Sequence, residues 1–164
     1  MSAEVDREPG EGLLARPPGA DLPLVVVTGM SGAGRSTAAK VLEDRGWYVV
    51  DNLPPQLLGD LSVFRDQAQQ VSPDGVARLA VVIDGRTRWR AEEFAGLLPE
   101  LRGGPAPPVI VYLDATDEAL VRRFESVRRP HPRQGTGGLL DAIVAERTLM
   151  AELRSGADVV VDTS

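Results

Sequence analysis

The apolar run Leu24-Val25-Val26-Val27-Thr28 passes through Gly29-Met30-Ser31-Gly32-Ala33-Gly34-Arg35-Ser36 into Thr37–Asp44, where Ala38, Val41 and Leu42 recur at helical spacing. A β-branched run that turns through glycines directly into a helix is a strand–loop–helix unit. Residues this small let consecutive backbone N–H groups point inward as an anion-binding nest. The N-terminus of the helix adds its partial positive charge at the same place. The spacing is that of the phosphate-binding loop G-x-x-x-x-G-K-[ST], with Arg35 at the lysine position and Ser36 placed to put its hydroxyl on Mg²⁺. Gly29, Met30, Ser31, Gly32, Ala33, Gly34, Arg35 and Ser36 are therefore expected to cradle phosphate. Arginine keeps the charge but is longer, planar and differently hydrated than lysine. Binding is expected to survive this exchange, whereas efficient hydrolysis, which depends on placement within fractions of an ångström, is not.

Five runs have the character of buried strands: Leu24–Thr28, Trp47–Asp51, Leu79–Asp84, Val109–Asp114 and Asp158–Asp162. Helical spacing recurs between them. Besides Thr37–Asp44 it is found in Glu118–Arg128, with Leu120, Val121, Phe124 and Val127 on one face and Thr116 as N-cap, and in Leu139–Arg154, with Leu140, Ile143, Val144 and Leu153. Strands that alternate with helices build a parallel sheet covered on both faces. The expected fold is a three-layer α/β/α domain of the P-loop NTPase type with a five-stranded parallel sheet. Gly and Pro cluster at Arg102–Pro108 and Pro130–Gly138, which read as breaks, the second as a lid or a surface loop.

With 164 residues the chain suits one domain, here residues 23–164, preceded by an acidic, Pro- and Gly-bearing tail at 1–22 that reads as mobile. No cysteine and one histidine, His131, exclude disulfides, thiolate metal sites and a multi-histidine centre. The formal charge of −6 argues against a surface that coats nucleic acid, although local basic patches are compatible with it. No secretory leader and no spanning run is visible, so a cytoplasmic location is the default and no membrane partner is expected. Lys40 is the only lysine among 18 basic side chains. The final run, Ala157–Asp162, reaches the last residue but two, which implies a continuation beyond Ser164.

In α/β sheets ligands gather at the carboxyl ends of strands. Asp51, Asp84, Asp114 and Asp162 all occupy such ends. Asp84, closing an apolar run, is the candidate to join Ser36 on Mg²⁺, with Asp114 as the alternative. Asp51 is a candidate base, or a holder of metal-bound water. Asp84-Gly85-Arg86-Thr87 reads equally well as a ligand-binding stretch or a solvated turn. The cluster Arg122-Arg123 and Arg128-Arg129-Pro130-His131-Pro132-Arg133 can neutralise a transferring phosphate, bind RNA phosphates, or form a solvated face paired with Glu118 and Glu125. His131 has no acid or nucleophile beside it, and Trp47 and Trp89 are too isolated for a base-stacking platform.

Gly29–Ser36, followed by Leu42-Glu43-Asp44-Arg45-Gly46-Trp47-Tyr48-Val49-Val50-Asp51-Asn52-Leu53-Pro54, resembles the RapZ/YvcJ proteins, one branch of which is known as the RNase adapter. Phe124–Pro132 is similar to that family's arginine-rich segment and Ala157–Ser164 to the last strand of its N-terminal domain. The resemblance implies a kinase-like P-loop domain that binds ATP and GTP with Mg²⁺ and has weak NTPase activity. It implies an ATP stretch at Gly29–Ser36 and a guanine-nucleotide stretch at Asp84, Gly85, Arg86 and Thr87. Arg35, Asp51, Arg128 and Arg129 are the candidate catalytic side chains. Members carry a second domain linked to RNA binding and to regulation of amino-sugar metabolism. An RNA or regulatory-protein partner is therefore expected through that missing half, and a homo-oligomer is left open. The rival expectation is a small-molecule kinase with Asp51 as base and Arg128–Arg133 as lid.

Overall fold

The computed structural model describes residues 24–61, 63, 78–85, 88–104, 107–127 and 138–164, with residues 88 and 89 described for their backbone alone. The elements in order are β1 (Val25–Gly29), α1 (Arg35–Asp44), β2 (Tyr48–Asp51), a 3₁₀ turn (Pro55–Leu57), β3 (Leu79–Val82), α2 (Arg88–Gly103), β4 (Val109–Asp114), α3 (Asp117–Ser126), α4 (Leu139–Ser155) and β5 (Val159–Asp162). The strands among the described residues are all parallel and form one five-stranded sheet in the order β2-β3-β1-β4-β5. β1 and β3 are buried along their whole length, so helices cover both faces of the sheet. The two edge strands β2 and β5 are partly exposed.

The expected fold class holds, with strand ends shifted by one or two residues. Two elements escape the sequence reading. The turn Pro55–Leu57 begins at the proline that fixes its φ. Helix α2 runs through Pro99 and carries Arg102 and Gly103 inside its last turn, so the break expected at Arg102–Pro108 starts later. Its buried face is Ala91, Phe94, Ala95 and Leu98, and it packs against α4.

The face assignments need correction. Val41, expected toward the core, is 44% exposed, and Ala39 takes its place. On α4 the expected Leu140 and Val144 face outward, and the buried stripe is Ala142, Ile143, Glu146, Met150 and Leu153. Val127 ends α3 as an exposed C-cap residue. The predicted N-cap of α3 is present: Thr116 Oγ1 accepts the N–H of Ala119 at 3.3 Å, with Asp117 and Glu118 in the first turn. The segment 1–22, Arg86, Thr87, Arg128, Arg129, His131 and Arg133 lie outside the described residues.

Candidate functional site

The strand order places the switch in sheet direction at β1, whose neighbours are β3 and β4. A ligand crevice forms at the carboxyl ends of such strands. The loop 30–34 emerges there and feeds α1. Its fit against β4 is close: Met30 N–H donates to the Leu113 carbonyl at 3.0 Å, and Gly29 adopts φ +143° against the same residue. Helix α1 starts at Gly34 with no capping side chain and no acid in its first turn. An α-helix leaves its first N–H groups without internal partners. At α3 a threonine and two acids serve that end, but at α1 no side chain among the described residues caps it. An anion is the complementary partner.

Arg35 and Asp84 are brought together. Arg35 Nη1 donates to Asp84 Oδ1 at 3.0 Å, and each side chain is only 13% exposed. Asp84 follows β3, the neighbour of β1, so the sheet itself delivers the carboxylate to the loop. Ser36 lies exposed in the first turn of α1. Gly85 is buried with Met150 of α4 so near that an added Cβ would lie 2.7 Å from its sulfur, so a larger residue there would have to move the end of that side chain. Asp51 is exposed at the end of β2. The next residue, Asn52, takes φ +56° and accepts a 2.8 Å hydrogen bond from Arg90 Nη1, which pins this turn to α2.

Sequence reasoning missed two braces on the loop. Glu146, fully buried on α4, accepts both the Ser31 N–H at 3.0 Å and the Ser31 hydroxyl at 2.8 Å through Oε1. A carboxylate within the apolar stripe Ile143–Met150 was the available signal. On the other side Thr163 Oγ1 donates to the Ala33 carbonyl at 3.0 Å. Arg123 Nη1 reaches the Gly32 carbonyl and Thr163 Oγ1, both at 3.1 Å, and Nη2 the Thr163 carbonyl. Arg123 therefore braces the loop from α3 and the end of β5, rather than pairing with Glu118 or Glu125.

Both oxygens of Asp114, the alternative metal ligand, already accept hydrogen bonds. Oδ1 accepts from Arg147 Nη1 and the Ala115 N–H, and Oδ2 from Arg154 Nε at 2.8 Å. A cleft of about 650 Å³ opens here between β4, β5, α3 and α4. Within it Arg147 spends its donors on Asp114, Asp117 and the Ala115 carbonyl. Burial alone would raise the Asp114 carboxyl, but hydrogen bonds from Arg147, Arg154 and Ala115 outweigh it and hold the group below the usual carboxylate range. A depressed folded-state value stabilises the fold above the unfolded value and loses that contribution as pH falls through the folded one. The fold is thus expected to weaken below about pH 4, and Asp114→Asn to flatten that acid limb in urea unfolding followed against pH. An unchanged limb would assign it to other carboxylates. Tyr112, buried and close to Asp114, is shifted upward, so its contribution is lost as pH rises above about 10.

A model of the RapZ-like N-terminal domain family matches residues 22–164. A nucleotide-binding protein of Pseudarthrobacter chlorophenolicus is 55% identical over 141 residues, which cover 86% of this chain and 45% of that protein. One from Streptomyces avermitilis is 54% identical over 141 residues, 86% of this chain and 46% of its own. The chain spans less than half the length of these relatives. Among solved structures, shikimate kinase from Acinetobacter baumannii in complex with shikimate aligns with a TM-score of 0.52 at 16% identity, over 87% of this chain and 84% of that one. Shikimate kinase from Bacteroides thetaiotaomicron aligns with a TM-score of 0.52 at 14% identity, over 85% of each chain. These likenesses show a P-loop kinase-like fold. No helix among the described residues is long and apolar enough to cross a membrane.

Proposed function

The chain belongs to the RapZ-like N-terminal domain family, and on that premise we propose that it binds a purine nucleoside triphosphate, ATP or GTP, with Mg²⁺. It turns the nucleotide over slowly, as the nucleotide-responsive part of a longer regulatory protein. The observation that carries this reading is the uncapped, acid-free start of α1, directly after a glycine loop braced by Glu146, Arg123 and Thr163. The Met30, Ser31 and Ala33 N–H groups are already bonded within the chain, so phosphate oxygens accept those of Gly32, Gly34 and the first turn, and the Arg35 guanidinium balances their charge. An RNA or regulatory-protein partner engaging the rest of the relatives' length belongs to the same proposal.

For the metal, the Ser36 hydroxyl and the Asp84 carboxylate are hard oxygen donors of the class Mg²⁺ takes beside phosphate and water. No group of three or more His, Cys, Asp or Glu side chains able to hold a metal occurs among the described residues, so the ion would be held jointly with the nucleotide rather than in a protein cage. When bound it supplies charge neutralisation across the phosphate oxygens. Arg128 and Arg129 remain candidates to neutralise a leaving phosphate. Gly85, Arg86 and Thr87, after Asp84, are the candidate second nucleotide stretch. Asp51 is the candidate to orient water.

The exposed Asp51, on a turn pinned by Arg90, also favours a second reading. In it Asp51 is the base of a small-molecule kinase and 128–133 its lid; phosphorylation of a sugar acceptor would establish it in place of the regulatory role. Titration calorimetry with ATP and with GTP, each with and without Mg²⁺, tests the first reading. Saturable heat is expected, and Arg35→Ala should weaken binding more than about tenfold, or 1.4 kcal/mol. Absence of both heat and thermal shift with either nucleotide would overturn it.

A further inference from the structure

The pairing of Arg35 with Asp84 bears on what a divalent cation can add at this site, an inference that rests on the nucleotide-binding reading above. We infer that Arg35 takes over at Asp84 the charge-neutralising share of Mg²⁺, so that this chain binds nucleotide almost as tightly without the metal as with it.

The carboxylate that the fold offers to a metal already carries a cation, with Nη1 on Oδ1 at 3.0 Å and both side chains 13% exposed. A guanidinium keeps its charge at every pH a protein meets and is more weakly hydrated than an ammonium, so it tolerates this enclosed position. A divalent ion that takes Asp84 must displace that guanidinium or stand beside it against like-charge repulsion. The shape of the group also matters. Five N–H donors spread over a planar fork let Arg35 hold Asp84 along one edge and leave other donors for a phosphate oxygen. Lysine at the same position offers one compact ammonium, which serves the carboxylate or the phosphate but spans the two poorly. Arg35 thereby links Asp84 to the phosphates in the way a bridging metal would. Its guanidinium neutralises ground-state charge but does not reproduce a metal's coordination of phosphate oxygens, in keeping with tight binding and slow turnover.

The test compares the wild-type chain with Arg35→Lys, measuring affinity for a fluorescent ATP analogue and for a fluorescent GTP analogue in excess EDTA and in excess Mg²⁺. For the wild type the metal is expected to change affinity by less than about threefold, whereas in Arg35→Lys it should strengthen binding by about tenfold or more. Adding Asp84→Asn to the lysine variant should abolish that metal response. Titration of Mn²⁺ alone, followed by electron paramagnetic resonance, should show weaker capture by the wild type than by Arg35→Lys. A wild-type affinity that rises tenfold or more with Mg²⁺ overturns the inference by itself, whether or not the variants fold. So does an equal metal response in wild type and Arg35→Lys. Failure of both analogues to bind under either condition would instead strike the nucleotide-binding reading.

Discussion

Gly29→Ala is expected to lose more than about 4 kcal/mol of stability, in the range reserved for severe steric and backbone lesions. An added Cβ would lie 2.2 Å from the Leu113 carbonyl oxygen, 2.7 Å from its nitrogen and 2.9 Å from its carbonyl carbon. All three are backbone atoms of β4, which cannot rotate aside as a flexible side chain can. The φ of +143° adds strain of its own for an L residue. Relief requires β1 and β4 to separate at the point where Gly29 pairs with Leu113, in the middle of the sheet. A domain of this size is stable by roughly 5–15 kcal/mol, so this one methyl group removes a large share. Gly34→Ala is the control, because its φ is +96° but an added Cβ meets nothing within 4 Å. It should cost only the conformational part, about 1–2 kcal/mol. Urea unfolding of both variants separates contact from strain, and equal losses would show that the approach to Leu113 is not what the glycine serves.

What the sequence made legible was whatever depends on local order. Val25–Gly29, the glycine loop and the start of α1 follow from composition and spacing, and the acid ends of the strands follow from topology. The reading failed where the orientation of an element depends on its neighbours. In α4 the hydrophobic letters Leu140 and Val144 drew the apolar face to the wrong side, because the true stripe includes a carboxylate. Glu146 is inside not by its own preference but because Ser31, far away in sequence, offers it two donors. In α2, Pro99 and the Gly-rich end masked a helix whose buried face is set by contact with α4. The same limit applied at the site. Position alone favoured Asp84 over Asp114 for the metal, but only the fold reveals that Arg147 and Arg154 occupy Asp114 and that Arg35 occupies Asp84. Long-range pairing of charges is not written into spacing.

Glu146→Leu is the second substitution expected to act strongly, with a loss of about 3 kcal/mol or more and nucleotide affinity lowered about tenfold. The isobutyl group fits a stripe that already holds Ile143 and Met150, so the loss does not come from misplacing an apolar residue. It comes from Ser31, whose N–H and hydroxyl would be buried without their acceptor, at about 1–3 kcal/mol for each unsatisfied group. The loop then relaxes toward any other acceptor, which carries Gly32 and Ala33 away from the Arg123 and Thr163 braces on its other side. Glu146→Gln distinguishes acceptor from charge. Its side-chain oxygen still accepts from Ser31, so most of the stability should return if the contact acts as a hydrogen-bonded tether. If Gln is as damaging as Leu, the negative charge beneath the loop is the necessary feature. A Glu146→Leu chain that unfolds at the wild-type urea midpoint and binds nucleotide with wild-type affinity would show that α4 does not set the geometry of the loop.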